Sequence, residues 1–188
     1  MNSHGSHDMT GNISDSTAAT ERTALGVSLE PARLREHEDI AYDERTYVHD
    51  DEIHCAADAA GRAIVGVTNG HGEVLLLVAG EHAILPNCTV DADEDWASVA
   101  RETAAETAGG PVTLEGVRAV RRVEHCVEGA DSPHNVTFQV VLEASPDGET
   151  APTVEDDDWT AGWFDEVPVS LDAEDGHGDA VADVRRFL

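Results

Sequence analysis

One stretch of this chain, residues 95–107, has the spacing of an amphipathic helix, and strand-like runs lie on both sides of it. Acidic residues at 93–95 suit the positive end of the helix dipole, and Gly109, Gly110 and Pro111 are typical of a helix end. A single well-formed helix between strands predicts a mixed α+β sandwich in one domain. The helical face is formed by Trp96, Val99, Ala100, Thr103 and Ala104.

The strand-like runs are rich in Val, Ile and Leu. Residues 62–68 and 73–78 flank Asn69-Gly70, which predicts a β-hairpin. The second run is apolar without alternation, so we expect that strand to be buried on both faces. Further strand-like segments lie at 83–85, 112–123, 135–144 and 159–167. Residues 179–188 predict a short helix with Val181, Val184 and Phe187 on one side.

Charge is the most unusual property of the composition. Acidic residues number 39 against 11 basic ones, every basic residue is Arg, and the formal net charge is -28. Such a charge opposes the compact state at ordinary ionic strength, whereas at molar salt the Debye length falls to about 3 Å and the repulsion largely disappears. The composition resembles that of proteins from extreme halophiles. An acidic disordered protein is the alternative, and the 40% hydrophobic content favours a folded chain.

Composition also excludes several classes of function. No apolar run is long enough to span a bilayer, and the N-terminus does not have the start of a signal peptide. Three cysteines, Cys55, Cys88 and Cys126, cannot all pair, so we expect reduced thiols and a cytoplasmic protein. The negative charge argues against sequence-independent nucleic-acid binding, which needs basic side chains facing phosphates.

Domain organisation follows the change in pattern near residue 51. Residues 1–24 are polar and acidic without apolar periodicity, which predicts a disordered tail. Residues 25–50 are predicted to form an N-terminal helical extension, because Ser28 and Pro31 are typical of a helix start. Residues 51–188 are then the main domain. Oligomeric state does not follow from these patterns.

The order of elements is similar to that of one known family. The segments that carry the similarity are Leu85-Pro86, residues 90–95, residues 101–109 and the late run from Gly162 to Pro168. Together they resemble a Nudix domain over residues 55–170, with the box helix after the Leu-Pro loop. The family box is a Gly, five residues, a Glu, seven residues, Arg-Glu, an aliphatic, any residue, Glu-Glu, any residue, a Gly and an aliphatic.

Two registers align the chain with that box. The ungapped register keeps Glu94, Glu106 and Gly109, and it puts Cys88 at the first Gly and Glu102 at the Arg. It also puts Thr103 and Thr107 at two metal-binding Glu positions. A register with one deletion recovers Arg101-Glu102 and Glu106 but puts Ala105 at a Glu and Ala108 at the Gly. We prefer the ungapped register because it conserves both ends of the box.

The resemblance implies a divalent-metal-dependent hydrolase that cleaves a nucleoside diphosphate linked to another moiety, with Mg²⁺ or Mn²⁺ as cofactor. Such ions take oxygen ligands and generate a nucleophilic water. Glu102 and Glu106 are four residues apart, so both can face one cation, and Glu94 is the third expected ligand. Glu102 and Glu106 are the candidate catalytic residues. Alternatively, both are a solvated face of a highly acidic helix.

Other residues suggest weaker sites. His54-Cys55, Cys88 and His125-Cys126 suggest zinc, although neighbours on a strand point to opposite faces. Cys88 is a candidate nucleophile only with a nearby base and a lowered pKa. Glu124 or Glu128 could act as a general base but is more typical of an exposed acid. We expect Trp163 and Phe164 to be core anchors rather than a stacking platform for a base.

Two other functions remain open. The first is a Nudix-fold module without hydrolysis that binds a nucleotide or serves in regulation, which the residues Cys88, Thr103 and Thr107 at box positions favour. The second is an interaction protein in which the fold is a scaffold. Substrate identity does not follow from the box, because fold alone does not imply function.

Overall fold

The computed structural model describes residues 29–50, 59–168 and 178–188. A 3-10 helix at Pro31–Glu36 comes first among them, and eight strands and two α-helices follow. The bounds are β1 Ala41–His49, β2 Ala59–Val67, β3 Val74–Ala79, β4 His82–Ile84, β5 Asn87–Asp91, α1 Trp96–Ala108, β6 Val112–Val127, β7 Asn135–Pro146, β8 Thr160–Phe164 and α2 Gly178–Val184.

The strands form two sheets. The larger has five strands in the order β1-β6-β7-β2-β5, and the smaller has three in the order β4-β3-β8. In the larger sheet β1 and β6 are parallel, as are β2 and β7, whereas the other two pairs are antiparallel. The predicted mixed α+β class is therefore confirmed.

The core has two parts, one on each side of strand β3. Leu75 belongs to the larger cluster, which also contains Ala100 and Ala104 of α1. Val74 and Leu76 belong to the smaller cluster, which Val184 of α2 completes. All three β3 side chains are fully buried. The prediction that this strand is buried on both faces is confirmed, because neighbouring side chains on a strand point to opposite sides.

Helix α1 begins and ends as its residues predict. The Asp95 carboxylate caps the helix by accepting a hydrogen bond from the Ser98 backbone N–H at 2.8 Å. At the other end Gly109 has a φ of 74°, and the N–H groups of Gly109 and Gly110 donate to the carbonyls of Glu106 and Ala105. These two bonds form a Schellman motif, which a left-handed glycine permits.

The predicted hairpin of β2 and β3 is wrong beyond its turn. The Asn69 side chain accepts hydrogen bonds from the backbone of His71 and Glu73, so the turn forms, and one bridge joins Thr68 to Val74. The strands then separate into different sheets. Strand β2 already has β7 on one edge and β5 on the other, which leaves no edge for β3.

The predicted helical extension over residues 25–50 needs a correction. Within it the structure has a 3-10 helix of six residues, and residues Ala41–His49 then form a strand parallel to β6. The aromatic and β-branched residues Tyr42, Thr46, Tyr47 and Val48 favour a strand, and β6 offers a long edge of 16 residues. Strand β1 thus joins the main sheet although it precedes residue 51. The tail at 1–24 lies outside the described residues.

Candidate functional site

The loop before helix α1 holds Glu94 in a fixed position. Its carboxylate accepts a hydrogen bond from the Asp91 backbone N–H at 2.8 Å, and its own N–H donates to the Asp91 carbonyl at 3.2 Å. These two bonds close the turn between β5 and α1. Glu94 is nevertheless exposed, so its second carboxylate oxygen faces solvent at the helix start.

Cys88 lies on β5 beside this turn and against α1. Its sulfur is 4.0 Å from the Val99 carbonyl, and its side chain also bonds to Thr103. Burial is the largest cause of a raised pKa for the Cys88 thiol. The carboxylates of Glu94 and Glu106 raise this pKa further, so both acids lie within electrostatic range of the sulfur.

A protonated thiol is a poor nucleophile, so this environment disfavours Cys88 as one. The opposing influences are the hydrogen bond from Thr103 and the charge of Arg62, which both lower the pKa of the thiol. They are weaker than burial. Cys88 is therefore a half-buried residue that connects the loop, the helix and β2 rather than a reactive group.

The two glutamates of helix α1 are both exposed. Successive residues of an α-helix are rotated by about 100° around its axis, so Glu102 and Glu106, four positions apart, are rotated from each other by about 40°. Glu106 is the nearer of the two to Thr103, and Glu102 points further from the core. Thr107 is turned inward, because its hydroxyl donates to the Thr103 carbonyl at 2.9 Å. Cys88 thus lies within electrostatic range of both Glu94 and Glu106, and Glu102 is one turn before Glu106 on the same open face.

These side chains are not arranged as a preformed metal centre. Among residues 29–50, 59–168 and 178–188, no group of three His, Cys, Asp or Glu side chains is placed to hold a metal ion. The available donors at the box are carboxylates and the hydroxyl of Thr103. Oxygen donors are the ligands that Mg²⁺ and Mn²⁺ prefer, and Mg²⁺ keeps several waters, so an incomplete protein ligand set fits such an ion.

A cleft that sequence reasoning missed lies across the large sheet from α1, next to α2. It has a volume of about 270 Å³ and contains the hydrogen bond from the Arg62 guanidinium to Asn87 on its wall. Arg62 also acts electrostatically on Cys88, so the cleft and the box share this residue. No sequence motif marks the cleft, because its walls come from four strands and α2. The other lining residues are Ile64, Ile84, Leu85, Gln139, Asp179, Ala180 and Asp183.

The predicted zinc ligands do not come together. Cys88 on β5 and His125 on β6 are three strand positions apart in the sheet, which is about 14 Å at the usual strand spacing. His54 and Cys55 lie outside the described residues. The structure instead places His125 beside His49 of β1, with 3.0 Å between their ring nitrogens.

The remaining candidates have structural roles. Glu124 pairs with Arg122 at 2.6 Å, and Glu128 is exposed at the end of β6. Trp163 packs against the larger core cluster and Phe164 against the smaller one, as expected of core anchors. No helix in the described part of the chain is long and apolar enough to cross a membrane.

Comparison with protein-family models gives no match, and comparison with curated proteins gives none. Among solved structures, the chain is similar to a mutant of the pyrophosphohydrolase BsRppH of Bacillus subtilis, with 13% identity over 73% of this chain and 87% of that one and a TM-score of 0.43. It is similar to the mutator MutT protein of Bacillus halodurans, with 16% identity over 67% of this chain and 80% of that one and a TM-score of 0.46. It is also similar to a C. elegans Ap4A hydrolase, with 17% identity over 68% of this chain and 94% of that one and a TM-score of 0.40.

Proposed function

We propose that this chain is a Nudix-type hydrolase that cleaves a nucleoside diphosphate linked to another moiety. The observation that carries the proposal is the position of Cys88 against helix α1, within electrostatic range of both Glu94 and Glu106. These three residues occupy positions of the ungapped box, with Glu94 before the helix start and Glu106 in its last turn. The cap at Asp95 and the left-handed turn at Gly109 define the two ends of the helix that carries the box residues.

Glu106 and Glu102, one turn apart on the open face of α1, would hold the divalent ion, and Glu94, before the helix start, would act through a bound water or phosphate. The ion would stabilise negative charge on phosphate oxygens and lower the pKa of a bound water. Glu94 is already oriented by the Asp91 backbone, so it presents its carboxylate without first ordering the loop. Arg62, an exposed cation within electrostatic range of Cys88, would bind substrate phosphate by charge-assisted hydrogen bonds.

The test is turnover of a panel of dinucleoside polyphosphates and nucleotide sugars in molar KCl with Mg²⁺ or Mn²⁺. We expect metal-dependent release of nucleotide that Glu106→Gln abolishes, because it removes a charged ligand while keeping the side-chain shape. Glu81→Gln is the matched control, since Glu81 is an exposed acid in the turn between β3 and β4. Equal turnover in Glu106→Gln and in the control would reject this site.

A second candidate is a nucleotide-binding module without hydrolysis. Thr107 favours it, because its hydroxyl bonds within the helix and is withdrawn from the open face. A ligand that binds only the folded chain raises its stability. Thermal stabilisation by a nucleotide, with no turnover across the whole panel, would establish this candidate over the hydrolase.

The acidic, lysine-free composition supports the further proposal that the protein works in a high-salt cytoplasm. A net charge of -28 is strongly self-repelling at low ionic strength. Dense carboxylates at the same time favour solubility. The dependence of folding stability on salt tests this proposal.

A further inference from the structure

Three histidines meet at one end of the large sheet, away from the box. His49 ends β1, His125 lies near the end of β6, and His134 immediately precedes β7. The rings of His49 and His125 have centroids 5.3 Å apart, and the His134 ring lies 6.5 Å from each of them. Three imidazoles on three adjacent strand ends are unexpected in a chain whose surface is mostly carboxylate.

The spacing of the first pair suits a common metal ligand set. His49 Nε2 and His125 Nδ1 are 3.0 Å apart. Two nitrogens on one tetrahedral Zn²⁺, each about 2.0–2.1 Å from the metal, are separated by about 3.3–3.4 Å. One of these two nitrogens donates its proton to the other; a change of tautomer in the donor ring, with small rotations of both rings, would free both lone pairs for a shared ion.

The outer contacts of His125 also fit coordination through Nδ1. Its Nε2 is 2.9 Å from the Thr137 hydroxyl oxygen. Metal-bound histidines usually donate the N–H of their second ring nitrogen to such a partner, which fixes the tautomer and the ring orientation. Tyr47 adds an edge-on ring contact with His125 at a centroid distance of 6.0 Å, which further restricts the ring.

His134 can supply a third ligand. Its backbone N–H donates to the His125 carbonyl at 2.9 Å, which fixes its position beside the pair, and its ring already faces both partners at 6.5 Å. The described residues contain no finished group of three ligands, so binding would have to draw the His134 ring closer to the pair. Nearby, the Nδ2 of Asn135 is buried without a hydrogen-bond partner. An anion or hydroxide carried by a metal at the cluster would accept from it.

The overall charge of the protein also favours a cation here. The strongly acidic chain raises the local concentration of cations.

We propose that His49, His125 and His134 form a binding site for a divalent transition-metal ion such as Zn²⁺. Imidazole ligands favour Zn²⁺, Cu²⁺ and Ni²⁺, whereas oxygen ligands favour Mg²⁺, so this site is chemically distinct from the carboxylates of helix α1. It joins β1 to β6 and to the start of β7, so the bound ion would also fix the edge strand to the sheet.

The test is Zn²⁺ binding to the metal-stripped full-length chain in molar KCl, measured by competition with a chromophoric chelator. High salt screens non-specific attraction of cations to the acidic surface. Co²⁺ serves as a second probe, because its visible spectrum reports tetrahedral nitrogen coordination. His71→Gln is the matched control, since His71 is exposed in the turn before β3 and, like the cluster variants, loses one histidine.

We expect His49→Gln and His125→Gln to weaken the tightest Zn²⁺ site by at least about 100-fold and to abolish the Co²⁺ signal, while His71→Gln changes neither. Thr137→Val should weaken binding by about 10–100-fold without removing a ligand, as loss of an outer hydrogen bond does. Because Thr137→Val keeps all three histidines, it tests the proposal even if a histidine variant does not fold. Equal affinity in wild type, His125→Gln and Thr137→Val would overturn the proposal.

Discussion

Arg121 of β6 and Asp183 of α2 form a doubly hydrogen-bonded ion pair in the interior, where the two residues are 2% and 1% exposed. A third bond from Arg121 goes to the Gln139 side chain at 3.1 Å. The pair fastens the C-terminal helix to the large sheet. Burial by itself would lower the pKa of Arg121, but the bonds to Asp183 outweigh this effect and keep the guanidinium charged.

Breaking this pair should be costly. Asp183→Asn leaves the buried guanidinium with only the more exposed carboxylate of Asp179, 3.8 Å away, and we expect the free energy of unfolding to fall by about 3 kcal/mol in urea denaturation. The control is Glu143→Gln, which removes the more exposed pair with Arg118 and should cost less than about 1 kcal/mol. Replacing both Arg121 and Asp183 by apolar residues should cost less than Asp183→Asn alone. If Asp183→Asn lowers the free energy of unfolding no more than Glu143→Gln does, this account is contradicted.

Gly109 is required by backbone geometry and by a close contact. Its φ is 74°, and a Cβ there would lie 2.0 Å from the Ala151 carbonyl oxygen. We expect Gly109→Ala to destabilise the protein by more than about 1–2 kcal/mol, since a side chain in this region is strained even without a clash. Gly148→Ala meets no atom within 4 Å and should change the free energy by less than about 0.5 kcal/mol. Similar losses in both variants would refute the role of this contact.

Local signals predicted helix α1 well. Its acidic start at residues 93–95, most of its buried face and its glycine stop follow from about four turns of sequence, because helix ends depend on neighbouring residues. The specific cap by Asp95 was not predicted. Burial of β3 on both faces was also predicted, because an unbroken apolar run has no solvent side. The mixed α+β class follows from these elements and their order.

Long-range pairing was not predictable in the same way. The Asn69 turn suggested that β2 and β3 pair, but nothing near β2 in sequence indicates that β7 and β5 would occupy both of its edges. The parallel union of β1 with β6 joins Tyr47 to His125, and the His49–His125 contact spans 76 residues. Such contacts depend on topology, which charge and periodicity of a single segment do not encode.

The candidate site was predicted in part for the same reason. Glu94 and Glu106 were named from the spacing of the box, which is local. Arg62 and the cleft next to α2 were missed because β2 reaches β5 only through the sheet. The roles of Glu102, Glu106 and Glu94 as metal ligands remain predictions.

Cys88 can report a metal at these carboxylates without any measurement of activity. Glu106, like Glu94, raises the pKa of the Cys88 thiol, so a cation bound at Glu106 should lower that pKa and increase the thiolate fraction. In a Cys55→Ser, Cys126→Ser background we expect Mg²⁺ to accelerate alkylation of Cys88 several-fold at a pH near 8. Glu106→Gln should abolish that acceleration and raise the metal-free rate. No effect of Mg²⁺ in the Glu106-containing protein would argue against binding at this position.

Salt should stabilise the folded chain through screening of its own charge. Raising KCl from about 0.1 M to about 1 M shortens the Debye length from about 10 Å to about 3 Å, so repulsion among surface carboxylates largely disappears. We expect the free energy of unfolding, measured with urea, to increase across this range. Glu155→Gln with Asp157→Asn removes two charges from an exposed acidic run and should make the increase smaller. An unchanged salt dependence in that variant would mean that KCl acts through burial of apolar surface rather than through charge.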